Sequence, residues 1–410
     1  MFKRRLVGLL LATSLATMSA SAQERSQPTY EITFERAMEL ARRQGPRLAT
    51  ARSRIHEARG GVDAASVWRF NPQLEASAGP RFGAADATID WSIGARQWLE
   101  IGGQRGSRID AARAGVDAAE ARTDDAERLL FREVGLAFVQ ALYWERRVAL
   151  AQENLRIAEE IARVARRRHE VGDTGRLEES VASLSLTRAQ TDEARVRAAL
   201  GQVEGRLKIL LGLEAGGGIV ARGDLRQLGM PGATAPADVN ARPDMRAFAA
   251  DIRQAESEAD LGRAARIPNI ALGAGYSREE DTDIVRGSLA VALPFFDHGQ
   301  GTTAVAQARR RRIETELRGA RRRAAIEIET ASGTSERLSA AAGQFEDRGL
   351  ATLERSERLA TASYEAGAIP LGELLAVRRE LVQAKLDYVD LLLGAATARV
   401  ELTANTGGSQ

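Results

Sequence analysis

The chain has 410 residues, 44% hydrophobic and 28% charged, with no cysteine and ten prolines. That length holds two or three ordinary domains, and the missing cysteine excludes a disulfide-stapled scaffold, a thiol enzyme, an iron–sulfur protein and any Cys-ligated zinc site. The formal charge is +2, and setting aside the basic start Lys3-Arg4-Arg5 leaves 55 basic against 56 acidic residues, no electrostatic footprint for nucleic acid or for a strongly acidic partner.

Residues 1–22 read as a signal peptide. Lys3-Arg4-Arg5 precede an apolar run from Leu6 to about Met18, and Ala20-Ser21-Ala22 is an A-x-A cleavage site, so the mature chain is expected to start at Gln23. No cysteine follows the leader to carry a lipid anchor, so the mature protein is expected to be unlipidated. No later stretch of about 18 apolar residues reads as a transmembrane helix, so a membrane crossing by this chain has to be made by strands.

Four segments alternate with period two, the pattern of half-buried strands. They are Leu74-Ala76-Ala78, Ile89-Trp91-Ile93-Ala95, Ile270-Leu272-Ala274-Tyr276 and Leu289-Val291-Leu293. The first two form a hairpin over 70–98, turned at Gly83-Ala84-Ala85-Asp86. The other two form a hairpin over 267–296, turned at Arg278 to Asp283. The spans 81–230 and 295–369 contain no proline and are rich in Ala, Arg, Glu and Leu, as long helices require. Val148, Ala151, Leu155, Ala158, Ala162 and Ala165 step by three and four. So do Leu374, Val377, Leu381, Ala384, Tyr388, Leu391 and Ala395, a coiled-coil seam with small residues. A helix over about 105–168 is roughly 95 Å long at ~1.5 Å per residue. The segment 214–243, with glycines at 216–218 and prolines at 231, 236 and 243, reads as a linker.

These elements repeat. Pro72 and Pro268 both precede a strand, 196 residues apart, and Gly79/Gly275 and Gly103-Gln104/Gly299-Gln300 keep that offset. His169-Glu170-Val171-Gly172 matches Tyr364-Glu365-Ala366-Gly367 at 195, and Glu178 matches Glu373. The mature chain therefore divides into a first repeat over 23–213, the linker over 214–243 and a second repeat over 244–406. Each repeat reads helix, β-hairpin, very long helix, glycine turn, helix. Four strands cannot close a membrane barrel, and lipid does not tolerate open strand edges. A trimer supplies twelve strands and closes.

Arg-Arg-His-Glu-Val-Gly at 167–172 and Ser-Tyr-Glu-Ala-Gly at 363–367, inside this duplicated plan, resemble the TolC-like outer membrane efflux protein family. Gln97 to Arg105 resembles the strand-to-helix turn of its heavy-metal (CzcC-like) branch. The resemblance implies a mainly α fold with a small β part. Duplicated long-helix hairpins would form an α-barrel, and four strands per chain would complete a twelve-stranded transmembrane barrel in a homotrimer. It implies a passive exit duct of a tripartite pump for metal cations or drugs, set in the outer membrane of a Gram-negative bacterium and reaching into the periplasm. Its partners would be outer membrane lipid, a periplasmic adaptor and an inner-membrane transporter of RND or ABC type. The exit duct of a type I protein-secretion system shares the fold. A periplasmic adaptor would carry one helical hairpin in a β-rich domain, and the duplication argues against it.

The resemblance assigns adaptor docking to the tip turns Val171-Gly172-Asp173-Thr174 and Ala366-Gly367-Ala368-Ile369. It assigns the pore constriction to Glu373, with Ala376 at the next inward position where some relatives carry a second acid. Glu178, the repeat mate of Glu373, is expected to face outward. Gly103-Gln104 and Gly299-Gln300 read as strand-to-helix turns, not phosphate loops, because no Gly-Lys-Ser/Thr follows. Trp91, Trp98, Phe82, Tyr276, Phe295 and Phe296 lie on or beside the strands, as a membrane-interface belt or as packing between subunits. His56, His169 and His298 are dispersed, so neither a metal site nor a cofactor is expected. No nucleophile–base motif appears, so no enzyme is expected. The clusters Arg309–Arg312 and Arg321–Arg323 read as ion-pairing helix surface or subunit contacts.

Overall fold

A computed structural model describes residues 30–82, 88–227, 238–280 and 282–406. The leader, the Gly83–Asp86 turn, and Pro231 and Pro236 of the linker lie outside the described residues.

The first repeat begins with a short strand β1 (Tyr30–Ile32) and helix α1 (Phe34–Gln44), whose Thr33 side chain accepts a hydrogen bond from the Arg36 backbone N–H at 3.3 Å. Helix α2 (Pro46–Ser66) starts with proline at its first position, where a missing N–H is harmless. Strands β2 (Gln73–Arg81) and β3 (Thr88–Leu99) form the first hairpin. Helix α3 (Gln104–Glu170) comes next, 67 residues or about 100 Å at ~1.5 Å per residue, and α4 (Arg176–Leu211) returns along it.

A second short strand, β4 (Ile219–Ala221), comes next. The second repeat is α5 (Pro243–Ala264), β5 (Ile270–Glu279), β6 (Thr282–Val291), α6 (Gln300–Gln344), α7 (Ala351–Glu365) and α8 (Leu371–Asn405). The sheet order is β2-β3-β5-β6, antiparallel throughout, so β2 and β6 are its two edges.

Two features depart from the sequence reading. The linker, read as an equatorial region made with the chain ends, carries a strand the sequence did not show: β4 pairs in parallel with β1, Tyr30 opposite Ile219. Three-residue strands are too short for a period-two signal, and their partners are far apart in sequence. The second long helix is also interrupted. Between α6 and α7, residues Phe345–Leu350 form a π-helical turn. Its Phe345 ring stacks on Tyr388 of α8 at 5.1 Å and 13°. Glu346 there accepts hydrogen bonds from the Tyr388 hydroxyl and from Arg226 at 2.9 Å, and Arg226 also holds Asp224. A π turn widens the helix where a neighbour demands another side-chain direction. Here the demand comes from α8 and the segment after β4.

The main core lies at this waist. The Phe34 ring meets Phe131 and Phe138 edge-on at 5.7 and 5.8 Å. Leu48, Leu207, Leu211, Ile219 and Val400 close around them. Above and below the waist, burial narrows to seams rich in small residues such as Ala114, Ala118, Ala158 and Ala162, with two smaller clusters around Leu374 at the tip and around Leu317 between α5 and α6. Arginine–carboxylate pairs line these seams. Arg309 meets Glu258 at 2.9 Å across α5 and α6, and Arg312 meets Glu316 at 2.5 Å along α6.

The Tyr388 hydrogen bond, and then Arg226, hold the Glu346 carboxyl below the usual range. A depressed carboxyl stabilises the fold above its unfolded pKa and loses that contribution as pH falls through its folded pKa. Glu346→Gln should therefore melt earlier than the parent at pH 7, and the gap should narrow at pH 3, below the ordinary carboxylate range. Helical circular dichroism in detergent at both pH values checks this.

Candidate functional site

The alternation of the strands gives the sheet two chemically distinct faces. On one, Leu74, Ala76, Ile89, Trp91, Ile93, Leu272, Tyr276, Val285, Leu289 and Val291 are aligned by the register. Most of these apolar side chains are exposed in the single chain. Trp91 and Tyr276 sit side by side at 5.3 Å, and the Tyr276 hydroxyl donates to Asp283 at 2.6 Å. The opposite face carries Ser77, Ser92, Gly94, Gly275, Ser277 and Ser288. Ion pairs bound it: Arg96–Glu75 at 3.3 Å toward the helices, and Arg81–Asp90 at 2.8 Å with Arg286–Glu279 at 3.0 Å toward the loops. Trp98 falls on this second face, away from Trp91, and its ring lies against Phe70 at 6.4 Å. Phe295 and Phe296 lie beyond the end of β6 and are fully open.

The strand-to-helix joints are built alike. Gly103 and Gly299 cap α3 and α6 at φ 82° and 80°, a left-handed conformation that favours glycine. Gln104 and Gln300 are the first helical residues.

At the far pole, both tip turns are Schellman motifs. Asp173 N–H donates to Arg168 C=O at 2.8 Å and Gly172 N–H to His169 C=O at 3.0 Å. Ala368 donates to Ser363 and Gly367 to Tyr364 at the same two distances. Gly172 and Gly367 take φ 79° and 73°, as the motif demands. Val171, Gly172, Asp173, Ala366, Gly367 and Ala368 are exposed, whereas Thr174 and Ile369 are half-buried. Ile369 packs on a tip core of Ile161, Ala165, Tyr364, Leu371 and Leu374, and the Thr174 hydroxyl is buried without a hydrogen bond. A cavity of about 330 Å³ opens beside this core, floored by Ile157, Ile161, Val164 and Leu374.

The two matched glutamates differ. Glu178 turns into the tip cluster, where it accepts from the Tyr364 hydroxyl at 3.5 Å and lies 4.0 Å from Arg168. The sequence reading expected it to face outward and did not anticipate this contact with the other repeat. The reason is local: Tyr364 is buried, and its hydroxyl needs an acceptor there. Glu373 is exposed on the first turn of α8. Ala376, Glu380, Gln383 and Asp387 share that exposed face, flanked by Arg379. Glu373, Glu380 and Asp387 recur every seven residues, a signal present in the sequence that a reading centred on the glycine turns passed over.

A half-buried ion network sits under this face. Lys385 of α8 binds Glu357 of α7 at 2.9 Å and Glu153 of α3 at 3.1 Å, and Arg378 reaches Glu357 at 3.5 Å. Burial alone would lower the Lys385 pKa, but the two carboxylates outweigh it and raise it. Burial lowers Arg378, which has only the long contact to Glu357. No sequence pattern joins these three helices, so the network was not legible beforehand. His169 instead points Nδ1 at the Thr174 carbonyl, 3.1 Å away. Among the described residues no three His, Asp or Glu side chains are grouped to hold a metal.

A sheet with an apolar face, carried on helix hairpins about 100 Å long, defines the TolC-like class of outer membrane channels, which are passive conduits and not enzymes. The chain belongs to the outer membrane efflux protein family, whose pattern matches residues 37–213 and 239–408. It is 30% identical to the nickel-cobalt-cadmium resistance protein NccC of Alcaligenes xylosoxydans xylosoxydans, over 78% of this chain and 74% of NccC. It is 26% identical to the cobalt-zinc-cadmium resistance protein CzcC of Cupriavidus metallidurans, over 88% and 86%. A crystal structure of CusC shares the fold with a TM-score of 0.77 over 92% of both chains at 20% identity.

Removing Glu357 leaves Lys385 and Arg378 short of their shared acceptor. Glu357→Ala should cost about 1–3 kcal/mol, read as a lower melting temperature. Gly367→Ala, which meets no neighbour but must hold a left-handed backbone, should cost about 1–2 kcal/mol.

Proposed function

We propose that three copies of this chain close a twelve-stranded barrel in the outer membrane and conduct metal cations outward. The observation that carries this is the sheet: an exposed apolar face bounded by two unpaired edges, β2 and β6. Lipid demands that both be covered. Because four antiparallel strands are an even number, β6 of one copy meets β2 of the next antiparallel, and twelve strands lie within the range of known barrels. The apolar face then meets lipid, with Trp91 and Tyr276 near the outer interface, and the serine- and glycine-rich face lines the exit. The leader over 1–22 directs export.

The helices continue the channel across the periplasm, and the tip turns 171–174 and 366–369 dock a periplasmic adaptor coupled to an inner-membrane transporter. The exposed left-handed turns and the open cavity beside them, with an apolar floor and charged walls such as Glu160, Arg168 and Glu365, support this, since a helical hairpin seats side chains in such grooves. The exposed face of α8 lines the lower channel, with Glu373 as its constriction. In a trimer, Glu373, Glu380 and Asp387 each supply three carboxylates, a stack that favours cations. The metal-resistance names of NccC and CzcC agree with a metal cargo.

Light scattering of the detergent-extracted protein should give three chains, and a single-chain species would sink the barrel. In planar bilayers, Glu373→Ala should lower the cation preference, seen as a shift of reversal potential toward zero in a salt gradient. An unchanged potential removes Glu373 from the constriction.

A further inference from the structure

The two strand-to-helix joints are equivalent in the repeat but not in the single chain. In the first, the Gln104 carboxamide is an anchor. Its Oε1 accepts from the Gly102 backbone N–H at 2.9 Å, fixing the turn. Its Nε2 reaches across to the α5–β5 connection, donating to the carbonyls of Ile267 at 3.0 Å and Ala264 at 3.1 Å, with Asn269 Oδ1 at 3.5 Å. Gln104 is only 7% exposed. It thereby pins the start of the first long helix to the base of the next hairpin.

In the second joint, Gln300 Oε1 accepts from the His298 backbone N–H at 2.9 Å. This is the Gly102 bond repeated 196 residues later. The Nε2, however, has no neighbouring hairpin to reach. It folds back on its own turn, to the Phe296 carbonyl at 2.9 Å. Gln300 is exposed, and Phe296 beside it is 95% exposed. A carboxamide nitrogen has two donors, and one of those of Gln300 is unused among the described residues. Beyond β6 the sheet of a single chain ends in an open edge.

We propose that the Gln300 carboxamide seats on the α2–β2 connection of a second copy of this chain, donating to the Trp68 and Asn71 carbonyls. These residues stand 196 positions before Ala264 and Ile267. Gln73, the counterpart of Asn269, stands beside them. Trp68 and Asn71 are exposed at the β2 edge, the edge that β6 must meet. The internal Gln104 contact is thus a copy, within one chain, of the contact between chains. One carboxamide chemistry serves all six hairpin seams of a trimer. The inference rests on the trimeric barrel and names the residue that sets its register at the base.

The chain has no cysteine, so introduced thiols report cleanly. Asn71→Cys with Gln300→Cys places two thiols at opposite edges of one sheet. Three strand intervals of ~4.8 Å separate those edges by about 14 Å, beyond the ~7 Å reach of a disulfide. Oxidation of the full-length protein extracted from the outer membrane should therefore give a reducible ladder of two and three linked chains. Gln104→Cys with Ile267→Cys should close within one chain and stay at single-chain mass. Gln300→Glu keeps the acceptor for His298 but loses the donor, and should lower the temperature at which the trimer separates in SDS. A species of three chains by light scattering that gives no ladder, while the control pair closes, would overturn the contact and leave the trimer standing. A ladder with parent-like separation of Gln300→Glu would overturn the hydrogen bond. A species of one chain would overturn both the contact and the barrel.

Discussion

A helix of 67 residues has no interior of its own, and that constraint organises the whole chain. Helix α3 offers its flanks to a succession of partners: α2 and α5 near the sheet, α1 and β4 at the waist, α4 and α8 toward the tip. Each contact is a seam one side chain deep. Alanine dominates because close approach of two helices gains more packing than bulky side chains do. Arginine and carboxylate pairs such as Arg246–Asp124 and Arg253–Asp117, 2.9 and 3.0 Å apart, flank the seams at the surface. Such exposed pairs contribute little energy and mainly set register. Only at the waist do enough elements converge for a conventional aromatic core.

The duplication arises from the same constraint. A single hairpin and its helices bury one side and leave the other open. A second copy covers that side and presents the same problem at its own far edge. The two halves solve it with shared parts, including a left-handed glycine at each strand-to-helix joint and at each tip. They diverge where the surroundings diverge. Tyr364 buries itself and captures Glu178, whereas its counterpart His169 is half-buried against the Thr174 carbonyl and Glu373 stays exposed. The π turn at Phe345–Leu350 has no counterpart in α3, and its Glu346 holds the Tyr388 hydroxyl and Arg226.

These differences suit a passive duct. The glycine turns at the tip are stiffened by backbone hydrogen bonds and leave their outer surfaces bare. The middle of the polar face of the sheet is lined by serine and glycine, with ion pairs at its two ends. The charges of the chain nearly cancel, yet the exposed stripe on α8 is acidic. Selectivity of that kind depends on where charge is placed along a channel, not on its total.

The sequence alone determined the order of the main helices and hairpins, the duplication, the four main strands with their apolar faces, and both sets of glycine turns. Those features are written in local periodicity and in residues with distinctive backbone demands, which one chain displays directly. The tertiary structure decided the rest. The β1–β4 pair, the π turn, the Lys385–Glu357–Glu153 network, the Glu178–Tyr364 contact and the different fates of Gln104 and Gln300 all depend on which segments become neighbours. Identical residues in matched positions acquire different hydrogen bonds because a seam has two sides, and a local pattern records only one of them.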